Sequence, residues 1–129
     1  MLLNKENKWV TENGVNLQHL FPISDNRNFA PFGSAWAKVQ PGEATTLHTH
    51  RVAEVFFITS GSGYFNIEGE EQSIKEGDVI YVAPDKAHTI CNLDSSQEEL
   101  SFLSVWWEAN ERIIKHLNMY LLPAYSGGE

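Results

Sequence analysis

Cysteine is nearly missing from this sequence: among 129 residues there is only Cys91. No internal disulfide can form, and a cysteine-rich zinc site is excluded. Basic residues are also few, with 9 Lys+Arg against 17 Asp+Glu and a formal net charge of −8. That leaves no basic stripe for nucleic acid or for an anionic membrane surface. No apolar run approaches the ~20 residues of a membrane span. The opening residues, Met1-Leu2-Leu3-Asn4-Lys5-Glu6, lack the long apolar run of a signal peptide. A reducing, cytoplasmic location is therefore the expectation. Gly61-Ser62-Gly63 lacks the third glycine of a dinucleotide loop, and there is no P-loop, GxSxG elbow, HExxH or CxxC. Dinucleotide binding, nucleotide hydrolysis and elbow-type serine hydrolysis have no support.

What remains is an ordinary globular composition, 42% hydrophobic and 20% charged, long enough for one domain. Residues 1–34 read as an irregular segment packed on the rest. Their turn formers are Asn13-Gly14 and Ser24-Asp25-Asn26, and a short helical turn is expected at Leu17 to Phe21. Residues 35–107 change character. Short runs rich in Val, Ile, Phe, Tyr and Thr alternate with punctuation such as Pro41-Gly42, Glu68-Gly69-Glu70 and Glu76-Gly77-Asp78. Short connections between such runs predict an all-β jelly-roll barrel of antiparallel strands. Residues 108–129 carry Ile113, Ile114, Leu117, Tyr120 and Leu121 at helical spacing before Pro123, predicting one C-terminal helix and a frayed tail.

Three of the five histidines, His48, His50 and His88, fall where β-type runs meet turns. His48 and His50 are two apart, so on a strand both rings leave one face. Glu54 shares their parity, and His88 opens a later run that could neighbour theirs. Imidazole nitrogens with one carboxylate oxygen form a set that first-row divalent metals bind well. A chance meeting on a polar edge is the bland alternative for a lone His-x-His.

The glycine frame weighs against that alternative, because it resembles the cupin superfamily. The first cupin motif is G-x5-H-x-H-x3-E-x6-G, and Gly42, His48, His50, Glu54 and Gly61 fill its fixed positions. The second is G-x5-P-x-G-x2-H-x3-N, and Gly77, His88 and Asn92 fit it. The proline position holds Ala83, with Pro84 following, and the second glycine position holds Asp85, which tolerates turn geometry. The resemblance implies a jelly-roll barrel holding one divalent transition metal on His48, His50, Glu54 and His88. Iron is the expected metal, with zinc, nickel or manganese as alternatives. It also implies a small-molecule substrate and a homodimer.

Around that site, Trp36 and Lys38, which share a face, and Tyr64 are candidates to line a pocket. Phe56 and Ile58 share the parity of Glu54 and are candidates for an apolar wall. Of Trp106 and Trp107, adjacent on a strand, one is expected to enter the barrel and the other to pack outside. Asn92 is a candidate to support the ligands from behind. Cys91 reads as an inert buried thiol, His19 as a surface or packing residue, and His116 as solvated. Arg27 and, less so, Arg51 are candidate anion anchors.

Three functions follow as expectations. The first is a mononuclear metalloenzyme acting on a small polar molecule, with iron-dependent oxygenase-type chemistry preferred. The second is non-redox isomerase, lyase or rearrangement chemistry, including N–N bond formation as in some small biosynthetic cupins. The third is a non-catalytic binding or sensor module. Fold does not choose among them.

Overall fold

A computed structural model describes residues 2–3, 8–21, 31–108, 112 and 115. Among the described residues nine strands run in chain order: β1 (Trp9–Glu12), β2 (Val15–Phe21), β3 (Gly33–Val39), β4 (Ala53–Ser60), β5 (Ser62–Ile67), β6 (Glu70–Lys75), β7 (Val79–Val82), β8 (His88–Cys91) and β9 (Leu100–Trp107). They form two antiparallel sheets, one ordered β1-β2-β3-β9-β4-β7 and the other β6-β5-β8. This is the all-β jelly-roll architecture that the punctuated β-type runs predict. The expected C-terminal helix falls outside the described residues except at 108, 112 and 115; Arg27 and His116 also lie outside them.

The amino-terminal region differs from expectation. Instead of an irregular stretch with a helical turn at Leu17, residues 9–21 form a β-hairpin. Asn13 and Gly14 form its turn with φ of 53° and 81°. Two left-handed residues in an Asn-Gly pair match the hairpin turn whose twist suits flanking strands. The alternation of Val15, Leu17 and His19 then turns one side chain in two toward the barrel interior, where all three line a cavity. The β-type run Thr46–His50 reads as a strand in the sequence, but in the structure it makes a single bridge, His48 to His88.

Inward-facing residues of several strands fuse into one core. Ala37, Val39, Phe56, Ile58, Ile80, Val82, Leu100 and Phe102 of the larger sheet pack with Ile74 and Ile90 of the smaller one. Burial of these apolar side chains is the main force holding the sheets together. The core occupies one end of the barrel. Moving along β9 from Leu100 and Phe102, the inward residues become Ser104 and Trp106. Along β4, from Ile58 and Phe56, the series ends at Glu54. Polar residues thus replace apolar ones at the other end, which stays open as a cavity of about 350 Å³.

Left-handed backbone shapes the turns that aim the ligand-bearing segments. Gly61 has φ of 80°, and a Cβ there would sit 2.4 Å from the Glu99 carbonyl oxygen. Asp85 also takes a positive φ, 65°, so this turn needs the left-handed conformation even where no glycine is present. Its amide donates to the His50 carbonyl at 2.8 Å, tying the turn before His88 to the first histidine pair.

Candidate metal centre

The three histidines converge inside the open end. The ring centroids of His48, His50 and His88 are 5.2, 4.7 and 4.9 Å apart in pairs. One nitrogen from each lies within 4.8 Å of the others. Glu54 joins them: its Oε1 lies 2.9 Å from His50 Nε2 and 3.4 Å from His88 Nε2. Two donors bound at right angles to one ion, at ~2.1 Å each, stand about 3 Å apart. Both separations are close to that.

Backbone carbonyls set the direction of each ring. His48 Nδ1 faces the Thr46 carbonyl, His50 Nδ1 the Val52 carbonyl at 3.2 Å, and His88 Nδ1 the Lys86 carbonyl at 2.8 Å. A proton on each Nδ1 leaves Nε2 as the lone-pair donor, the arrangement that metal-ligating histidines use. Glu54 is almost fully buried, and Ser104 donates its hydroxyl to Oε2. Oε1 is thereby left for the histidine cluster. His88 Nε2 is buried without a geometrically sound hydrogen bond, although buried polar atoms are normally satisfied. These side chains fit a divalent transition metal: three neutral imidazoles and one carboxylate, each oriented from behind, with an orphaned nitrogen at the centre.

Electrostatics within the cluster favour charge. Burial alone pushes Glu54 up, but the polar contact with His88 at 3.4 Å, the hydrogen bond from Ser104 and the charges of His50 and His88 outweigh it, so the carboxyl titrates below its usual range. Burial alone pushes His88 down, but Glu54 and the Lys86 carbonyl more than offset it, so the imidazole holds its proton more tightly than usual. An acid and a base that stabilise each other's charged forms this way compete directly with a metal for the same atoms.

The other candidates separate by parity. Phe56 and Trp106 line the cavity, but Trp36, Lys38, Tyr64, Ile58 and Trp107 do not. Ala35, Ala37 and Val39 take the inward positions of β3, which turns Trp36 and Lys38 outward; Lys38 Nζ sits 4.3 Å from the Trp9 ring centre. Ile58 is core, one strand repeat deeper than Phe56. Tyr64 pairs with Cys91 in the smaller sheet, and Trp107 meets Tyr81 with ring centres 6.4 Å apart. Trp106 enters because Gly33 opposite has no side chain: a Cβ there would lie 2.2 Å from the indole Nε1. Asn92 lies beyond the far end of β8 from His88 and donates to the Val39 and Glu98 carbonyls, tying the end of β3 to the loop before β9 without touching a ligand. Burial pushes the Cys91 thiol up, consistent with an unreactive cysteine. Arg51 is exposed and is not part of the lining.

Sequence reasoning missed Ser104, Glu12 and His19, all of which line the cavity. The signal for His19 was present in the alternation Val15-Leu17-His19 after an Asn-Gly turn. No local pattern marks Ser104, whose partner Glu54 is 50 residues away.

An antiparallel barrel with three histidines and a glutamate clustered inside its open end defines a jelly-roll protein with a candidate metal site. The chain belongs to the cupin family, for the cupin-domain family model matches residues 35–106. It is similar to the oxalate-binding protein of Thermotoga maritima, 35% identical over 92 residues, 70% of this chain and 74% of that protein. It is also similar to the (R)-mandelonitrile lyase of Granulicella tundricola, 31% identical over 81 residues, 62% of this chain and 59% of the lyase. The chain spans about half the length (48%) of another relative, the uncharacterized protein MJ1618 of Methanocaldococcus jannaschii, at 37% identity over 60 residues and 46% of this chain. Among solved structures, a "predicted oxalate decarboxylase" from Thermotoga maritima superposes with a TM-score of 0.70 at 27% identity, covering 84% of this chain and all (100%) of that one. Among the described residues, no helix is long and apolar enough to cross a membrane.

Proposed function

We propose that this protein is a mononuclear metal-dependent enzyme acting on a small molecule that carries an anionic oxygen. The observation that carries the reading is the buried, orphaned His88 Nε2 facing Glu54 Oε1, with His48 and His50 alongside. Nε2 of His48, His50 and His88 and Oε1 of Glu54 would hold the ion. Three neutral imidazoles and one carboxylate leave a divalent ion with one net positive charge, which favours an anionic oxygen donor. When bound, the ion supplies Lewis-acid polarisation of that oxygen or, if it is iron, access to dioxygen chemistry. Ser104 fixes the glutamate, and Val52, Phe56 and Phe102 give the cavity an apolar wall that keeps water from the head group.

Within this reading, iron-dependent oxygenase-type chemistry is the form we put first, because four protein ligands on a six-coordinate ion would leave two positions, one for substrate and one for oxygen. Non-redox cleavage is the second, favoured by the lyase relative. Binding without turnover is the third, favoured by the name of the oxalate-binding relative. Elemental analysis and oxygen uptake separate them. Iron with substrate-dependent uptake supports the first, tightly held zinc, nickel or manganese with turnover and no uptake the second, and ligand binding with no turnover the third. His50→Ala should strip most of the metal, while Lys38→Ala on the outer face should strip none. Equal metal contents in the two variants would overturn the ligand set.

We also propose a homodimer. The outer face of β4 and β7 leaves Phe57, Val79 and Tyr81 exposed side by side, an apolar patch of the kind that marks association surfaces. Sedimentation of wild type against Val79→Glu tests it: a monomeric wild type would end the idea.

A further inference from the structure

The cavity reaches well beyond the histidine cluster, and the strand register shows where it leads. His19 on β2, Ala35 on β3, Ser104 on β9 and Phe56 on β4 form one row across the sheet. All four line the cavity. Neighbouring strands stand ~4.8 Å apart, so His19 and Ser104 are separated by about 10 Å. The residue between them is Ala35, whose methyl group fills little of that gap. At the near end Ser104 holds Glu54. At the far end His19 Nε2 bonds Glu12 Oε2 at 2.8 Å.

That second pair is built into place. Glu12 pairs with Val15, and His19 lies four residues further along β2, about 13 Å away along the strand. A bond at 2.8 Å therefore draws the two side chains toward each other along the inner face, past Leu17. The Trp106 ring meets His19 edge-on, with centroids 6.5 Å apart. The register shifts immediately after His19, and such a bulge re-aims neighbouring side chains. The Thr46 amide donates to the Asn13 carbonyl at 2.8 Å, fastening the hairpin turn to the segment that leads into His48. A solvent-exposed polar pair contributes little to fold stability, so stability does not account for this placement.

We propose that Glu12 and His19 form a second anchor for the ligand, one that selects a hydrogen-bonding group at the end remote from the metal-binding head. The inference rests on the metal-centre reading above. A carboxylate already bonded to one imidazole retains acceptor capacity, so the anchor suits a hydroxyl group. Leu17, Ala35, Phe102 and Trp106, on the strands from β2 to β9, supply the apolar stretch between the two polar ends. The ligand class is thus a small carboxylate with an apolar middle and a distal hydroxyl.

The test uses the full chain loaded with cobalt, whose visible absorption reports an occupied site. Calorimetry compares two probes, phenylacetate and para-hydroxyphenylacetate. The hydroxylated probe should bind about tenfold more tightly, the scale of one hydrogen bond to a charged group. Glu12→Gln, nearly isosteric, and His19→Phe, which keeps an aromatic edge against Trp106, should each bring the two affinities together. Both variants should retain cobalt absorption. Ala35→Leu should weaken both probes while cobalt stays bound. Cobalt uptake with equal affinities in wild type, with neither probe binding, or with a preference that survives Glu12→Gln, would overturn the anchor alone. Failure to take up cobalt would overturn the metal centre and the anchor together.

Discussion

Ser104 on β9 donates its hydroxyl to Oε2 of Glu54 on β4, and this one bond decides which carboxylate oxygen faces the histidines. Removing the hydroxyl frees the carboxylate to rotate and leaves Oε2 buried without a donor. Outer partners of metal ligands typically contribute 10–100-fold in affinity, so Ser104→Ala should weaken metal binding by about tenfold or more. A competition titration against a chelator measures it. Unchanged affinity would mean that Glu54 is held by the histidines alone or is not a ligand.

The charged pair predicts opposite pH responses with and without metal. His88 has a raised pKa, so its contribution to stability is complete below the ordinary histidine value of about 6.5 and is lost as pH rises through its folded value. Glu54 has a lowered pKa, so its contribution is complete above the ordinary glutamate value of about 4.3 and is lost as pH falls through its folded value. Metal-free protein should therefore draw most from the pair in mildly acidic solution, between those two values. A metal must displace the His88 proton, so the rise in Tm on adding zinc should grow as pH increases through the raised His88 pKa. Melts across the range of ~pH 4–8 check both limbs. A zinc increment independent of pH would show that His88 is not a ligand.

How far the fold and site were legible follows from how local each signal is. His48, His50, Glu54 and His88 announce themselves through fixed spacings within a glycine frame, and the structure brings those four together. Phe56 follows from its parity with Glu54. The same rule fails to separate Phe56 from Ile58, because parity gives the face and not the depth; depth depends on where the apolar core ends. Trp36 and Lys38 share a face, but only the burial of Ala35 and Ala37 shows that it is the outer one. The hairpin of β1 and β2 was hidden because its polar residues, Asn16, Gln18 and His19, dilute the β-type composition. The Asn13-Gly14 turn marks the hairpin, but an Asn-Gly pair alone does not say that strands flank it.

The turn before His88 offers a test of local strain. Asp85 holds φ of 65°, a conformation that glycine adopts without penalty. Asp85→Gly gains backbone freedom in the unfolded chain but loses the left-handed strain, whereas Asp85→Val adds a β-branched side chain to the strained position. Asp85→Gly should change stability by less than about 1 kcal/mol, and Asp85→Val should destabilise by more than that. Because the Asp85 amide is bonded to the His50 carbonyl, Asp85→Val should also lower metal affinity. Chemical denaturation with and without zinc separates the two effects. Equal stabilities for the two variants would show that the turn relaxes to another conformation.

Gly33 and Trp106 face each other across β3 and β9, and the glycine leaves the space that the indole fills. A methyl group at position 33 would lie 2.1 Å from the nearest ring atom, far inside contact distance, so either the indole or the strand must shift. The indole is the less constrained of the two, since it borders an open cavity and the strand is paired on both sides. Gly33→Ala should therefore push Trp106 toward the cavity and against His19, narrowing the mouth while the cluster of His48, His50 and His88 keeps its positions. The expected result is unchanged zinc affinity, a shifted Trp emission maximum, and weaker binding of phenylacetate to the zinc-loaded protein. If zinc affinity fell along with phenylacetate binding, the strand rather than the indole would have moved. The pairing of β3 with β9, which presents Ser104 to Glu54, would then be the more deformable element.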